Sequence, residues 1–215
     1  AASSSGGYDF ATAKSIYADG KNAQKDSGDY RTLGGFASAT GKNHDYDSYY
    51  GADGSIGAHI MAAMDGTGDF EGTSDTVRYQ GIAKLTVNMG MVGYTIHELN
   101  AAIAKAEAGN WGTDDAQHAW DEGWAFFHGP EANYGCSPAK VMEKRAADFG
   151  TADANGNAAT FIATRGAMND GLTALQNEDM QGVTDARDEV LKNLVIVYSQ
   201  ACLLYTSPSP RDGIG

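Results

Sequence analysis

SDTVRYQGIAKLTVNMGMVGYTIHELNAAIAKAEAG, residues 74–109, decides the fold. Ile82, Leu85, Met89, Val92, Ile96, Leu99 and Ile103 recur three and four apart, so this stretch predicts one long helix with a continuous apolar stripe. Gly109 stands where a left-handed C-cap belongs. A second set, Val87, Met91, Tyr94, Ala101 and Ala102, lies away from the main stripe, so the helix is expected to be buried on two sides. Glu98 falls among that second set, beside His97.

Outward from this helix, the same signals recur. Thr113 is expected to cap a helix carrying Trp120, Trp124 and Phe127, with Asp114 and Asp115 in its first turn. Ser137-Pro138 reads as N-cap and N1 of another, closing at Phe149-Gly150. Helices are predicted over about 9–17, 55–64, 158–176 and 185–201. Residues 26–54, rich in Gly, Asp, Ser and Tyr, read as loop with one helical turn near 46–50. No segment alternates as a strand would, and no repeat of fixed period stands out. The expected fold is all-α, a multi-helix bundle with long Gly/Asp-rich loops.

A net charge of -13 at pH 7 leaves no basic face for nucleic acid. It suits solubility, or attraction of cations. No apolar run reaches the ~20 residues of a membrane span. The opening AASSSGGYDF reads as the start of a processed product. No phosphate-binding loop, dinucleotide fingerprint, nucleophile elbow or zinc-protease helix is present, so an enzyme is not expected.

Residues 202–212, CLLYTSPSPRD, resemble the translation of a transposase sequencing adapter. This reading makes residues 1–201 a single helical domain, truncated in its last helix, and residues 202–215 foreign to it. A helix running through Leu194, Ile196, Val197 and Leu204 would stop abruptly at Ser-Pro-Ser-Pro, which agrees. The alternative is a genuine Pro-rich linker. On the adapter reading Cys202 is extraneous and Cys136 is the one native thiol.

IYADGKNA (16–23) with RTLGGFAS (31–38), YTIHELNAAI (94–103), WDEGWAFFHG (120–129) and KRAADFGT (144–151) follow one another in an order and spacing that resemble the low-iron-inducible periplasmic protein family of unicellular algae. NDGLTALQ (169–176) fits the family's next helix. The resemblance covers roughly residues 8–201. It implies a non-enzymatic protein of the periplasm or cell surface, associated with iron assimilation and in some members with high carbon dioxide. Iron ions, and cell-surface or iron-uptake components, are the partners it implies. Ala146 and Ala147 stand where the family suggests a cysteine, which puts a disulfide framework in doubt.

Iron favours carboxylate and phenolate oxygens with imidazole. The candidate ligands are Glu98, Glu122, Asp121, His97 and His118. His118 and Glu122 are i, i+4, so both can meet one ion. Glu98 and Glu122 are expected to be buried carboxylates on facing helices, and such groups need a metal, a cation or a proton. Lys144 and Arg145 supply the alternative, a structural ionic network. The Glu-x-x-His pairing of di-iron bundles is absent. Asp45-Tyr46-Asp47-Ser48-Tyr49-Tyr50 also carries oxygens suited to iron, against the simpler reading of a solvated loop.

Overall fold

The computed structural model describes residues 7–40, 42, 45–129 and 137–206. Among them the protein is helical, with two isolated antiparallel bridges, Gln24 to Tyr30 and Ala152 to Ala158, and no strand. The chain divides into two compact units, Ala1–His97 and Glu98–Gly215.

Unit 1 begins with α1 (Phe10–Asp19), whose N-cap Asp9 accepts from the Thr12 amide. The short α2 (Leu33–Ala37) and α3 (Asp45–Tyr50) precede α4 (Ser55–Asp65). A 3₁₀ turn at Gly68–Phe70 leads into α5 (Asp75–Lys84), capped by Ser74. Tyr17, Ala37, Ile56, Ile60 and Met64 form the core, against which Tyr46, Met61, Ile82, Leu85 and Met89 pack. Arg78 closes the C-terminus of α4 by donating to the carbonyls of Ala63 (3.0 Å) and Met64, while its guanidinium covers the Phe10 ring at 3.9 Å. Lys14 ties α1 to α4 through Asp65 at 2.7 Å.

The expected long helix is present, but not as one α-helix. Leu85–Met91 is π-helical, between α5 and α6 (Val92–Glu107). A π segment places an extra residue in each turn, so the apolar stripe changes phase across it. Burial on two sides holds within α6: Val92 and Leu99 are buried, and so are Tyr94, Thr95 and Ala102.

Unit 2 contains α7 (Ala116–His128), α8 (Pro138–Phe149), α9 (Ala159–Gln176) and α10 (Met180–Thr206). α9 and α10 pack along each other, with α7 on α8 and α9, and α8 on α10. Trp120 is buried, donates its indole N–H to the Met168 carbonyl at 2.8 Å and lies directly against Gly171. A Cβ on Gly171 would come within 2.0 Å of the Trp120 ring, so only glycine fits there.

α8 and α9 match the predicted bounds, and Ser137 caps α8 by accepting from Lys140 at 3.2 Å. Thr113 is not a cap; α7 begins at Ala116 with no side-chain cap bond, and residues 113–115 form a turn. α10 starts at Met180, five residues before the predicted 185, because Asp179 accepts from Gly182 at 3.1 Å and opens the helix there. Its buried face is Val183, Ala186, Val190, Leu194 and Val197, whereas Ile196 and Leu204 are exposed, contrary to the expected stripe. The helix runs on through residues 202–206, the first part of the stretch read as foreign. Cys136 lies outside the described residues.

Candidate metal-binding residues

α7 turns Trp120 and Phe127 inward, which leaves the opposite side of the helix to polar residues. His118 and Glu122 meet there: His118 Nε2 lies 3.5 Å from Glu122 Oε1. Both are substantially open, with 59% and 43% of their side chains exposed. The expected i, i+4 pair therefore forms, but Glu122 is not a buried carboxylate. It sits on the rim because the inward face is already filled by the indole of Trp120 and the ring of Phe127. Asp121 is exposed next to it.

On α6, His97 and Glu98 are each half-buried, and the His97 ring meets Tyr94 edge-on at 5.6 Å. The helices packed most closely on α7 are α8 and α9. Arg145 pairs with Asp148 of its own helix at 2.8 Å, and Lys144 is exposed. The Arg145 Nε is buried without a hydrogen-bond partner.

The Tyr-Asp cluster is helical as α3, and its members have separate tasks. Asp47 accepts from both the amide and the hydroxyl of Ser55, at 2.9 and 2.6 Å, and so caps α4 from a distance. Tyr46 joins the core of unit 1, Tyr49 is exposed, and Tyr50 packs on His59 with ring centres 4.6 Å apart. His59, which the sequence reading did not select, has its Nδ1 2.8 Å from the Ser55 carbonyl and its Nε2 3.8 Å from Asp69 Oδ2. The signal was a histidine on a helix four residues after the helix start, with a carboxylate ten residues on across a turn.

Two further groups report the electrostatics of the fold. The Tyr17 hydroxyl is buried with no hydrogen-bond partner, and burial pushes its pKa up to about 12. Hydrogen bonds from Asn157 hold the Asp153 carboxyl below its ordinary range. Among the described residues no three His, Cys, Asp or Glu side chains converge as a metal-holding group. No described helix is long and apolar enough to cross a membrane.

These features define an acidic, all-helical protein that carries imidazole–carboxylate pairs on its helix surfaces. The family model described as low iron-inducible periplasmic protein matches residues 1–207, and the chain belongs to that family. Its localisation is accordingly periplasmic. A search of curated proteins and a search of solved structures each returned no match.

Proposed function

We propose that the protein binds or concentrates iron at the cell surface, through side-chain carboxylates and imidazoles, without catalysing a reaction. Membership of a family named for induction by low iron is the observation that carries this reading. A protein made when iron is scarce and placed outside the cytoplasm is suited to capturing the ion there. The acidity of the chain favours approach of cations. His118 and Glu122 supply an imidazole nitrogen and a carboxylate oxygen from one helix face, and Asp121, His97 and Glu98 complete the candidate set.

The test is an iron titration of the whole chain that follows bound metal and heat stability together. An ion that binds only the folded state raises stability by about 2.7 kcal/mol at a hundredfold excess over Kd. The expected outcome is a saturable, stoichiometric rise that Glu122→Ala or His118→Ala diminishes. A rise unaffected by changes at all five candidates keeps iron binding and moves the site.

A second reading is a periplasmic interaction module that binds no metal. The exposed apolar side chains along α10, Val195 (66%), Ile196 (38%), Leu203 (54%) and Leu204 (43%), favour it, since several such residues on one packed helix are what a partner surface requires. That reading expects no iron-dependent stabilisation.

A further inference from the structure

We infer that the core of unit 1 holds a binding site for a small, neutral, mostly apolar molecule with one carbonyl oxygen, which the Tyr17 hydroxyl hydrogen-bonds beside the π segment Leu85–Met91. The inference stands apart from the iron reading. Tyr17 is only 5% exposed, and its buried hydroxyl has no hydrogen-bond partner. A buried donor in this state costs the fold free energy, so protein interiors supply partners as a rule. Trp120 of unit 2 follows that rule, its indole N–H on the Met168 carbonyl. Tyr17 instead keeps an open donor inside an apolar core.

The surroundings of that donor select the ligand. The buried cluster that contains Tyr17 is otherwise Ala37, Ile56, Ile60 and Met64, with Leu85 and Met89 packed against it. None of these side chains is more than a weak acceptor, so they offer a water none of the several partners that buried water needs. An apolar molecule suits them. Burial alone pushes the Tyr17 pKa up to about 12. A negative charge is therefore disfavoured at this place, and a neutral acceptor such as a ketone is preferred to a carboxylate.

The π segment supplies the way in. It packs on α2 and α4, yet all seven of its residues are half-buried. α6, directly after it, buries Val92, Tyr94 and Thr95. The wider turn thus keeps Leu85 and Met89 at the edge of the core without sealing it. A Cβ on Gly90 would meet only the Leu85 carbonyl, at 3.7 Å, which leaves room beside the segment. Interruptions of this kind in an α-helix recur at functional sites.

The experiment is nuclear magnetic resonance of the full chain titrated with acetophenone and methyl pentyl ketone, with ethylbenzene and benzoate as controls. At least one ketone is expected to shift the Leu85 and Met89 methyl signals and the Tyr17 ring signals saturably. Benzoate should bind at least about ten-fold more weakly than acetophenone. Tyr17→Phe removes the hydroxyl and leaves the ring in place, so it should weaken ketone binding about ten-fold and leave ethylbenzene binding unchanged. Shifts by neither ketone would overturn the site. So would a ketone affinity that Tyr17→Phe leaves unchanged, or benzoate binding as tightly as acetophenone. A gain in heat stability in Tyr17→Phe without any ketone shift would leave the hydroxyl as an unsatisfied core group and nothing more.

Discussion

Two loops, one in each unit, are built by the same backbone hydrogen bonds from different residues. In unit 1, Arg31 N–H donates to Ala23 O (2.8 Å), Lys25 to Asp29 (2.7 Å) and Gly28 to Lys25 (2.9 Å). In unit 2, Ala159 donates to Thr151 (3.1 Å), Asp153 to Asn157 (2.8 Å) and Gly156 to Asp153 (3.0 Å). Each loop leaves a helix that ends in glycine, crosses one antiparallel bridge and enters the next helix. Side chains then reinforce the two frames differently. Asp153 accepts from the amides of Asn155 and Asn157 and from the Asn157 side chain, whereas Gln24 reaches the Gly28 carbonyl and Ser27 bonds to Asp29. The backbone defines this turn, and side chains adjust its strength.

The units differ most in how they fill their interiors, and the largest expected effect tests that. Unit 2 places Trp120 at its centre, so Trp120→Ala should cost about 3–5 kcal/mol in urea unfolding. Gly171→Ala should cost about 1–3 kcal/mol, since the ring it would strike is buried and hydrogen-bonded. Unit 1 has a similar glycine–aromatic contact at Gly81, where a Cβ would meet the Phe70 ring at 2.3 Å. Phe70 is only half-buried and can swing away, so Gly81→Ala should cost less than about 1 kcal/mol, helped by alanine's helix propensity. Equal costs at Gly171 and Gly81 would mean that Phe70 is as fixed as Trp120.

Gly28 and Gly156 sharpen the likeness of the loops. Their φ angles are +92° and +83°, and nothing lies within 4 Å of a Cβ built on either. Replacement by alanine is therefore a pure backbone penalty, about 1–2 kcal/mol and alike at both sites. A large difference between them would show that the shared hydrogen bonds conceal different strain.

What could be read in advance follows from where the signals lie. α8 was legible because Ser137-Pro138 and Phe149-Gly150 are local punctuation at both ends. The π turn at Leu85–Met91 was not, because it leaves every apolar residue in a helical order and changes only the phase. The start of α10 was missed because Asp179 acts as a cap directly after Glu178, which takes φ +55° where a glycine would have announced a break. The twin loops share geometry and the glycine position of Gly28 and Gly156, but too few other residues for a repeat to be visible. At the candidate site, His118 and Glu122 met because one helix fixes their spacing. His59 and Asp69 belong to different elements, and the turn between them had to be seen.

Acid should separate the two loops. Hydrogen bonds from the Asn157 side chain and backbone depress the Asp153 pKa in the folded chain. A depressed carboxyl contributes its stability fully above the unfolded value near 3.8, and loses it as pH falls through the lower folded value. The Asn155 and Asn157 amide resonances should therefore shift on acidification below that value, with Asp153→Asn abolishing the shift. The Gly28 and Arg31 amides should not follow the Asp153 titration. Common movement of both loops would mean that a wider acid transition, not Asp153, is being observed.

The smallest effects concern surface ion pairs, and there the contrast bears on function. Lys14 and Asp65 join α1 to α4 with two contacts of 2.7 and 2.8 Å, so Lys14→Met should cost up to about 1 kcal/mol. His118 and Glu122 lie one turn apart on the same helix, at a longer 3.5 Å, and Glu122→Ala should cost only about 0.3–0.5 kcal/mol without metal. A carboxylate with so little structural work is available to an ion. A loss well above 1 kcal/mol in metal-free protein would make Glu122 part of the scaffold, and its candidacy as a ligand would weaken accordingly.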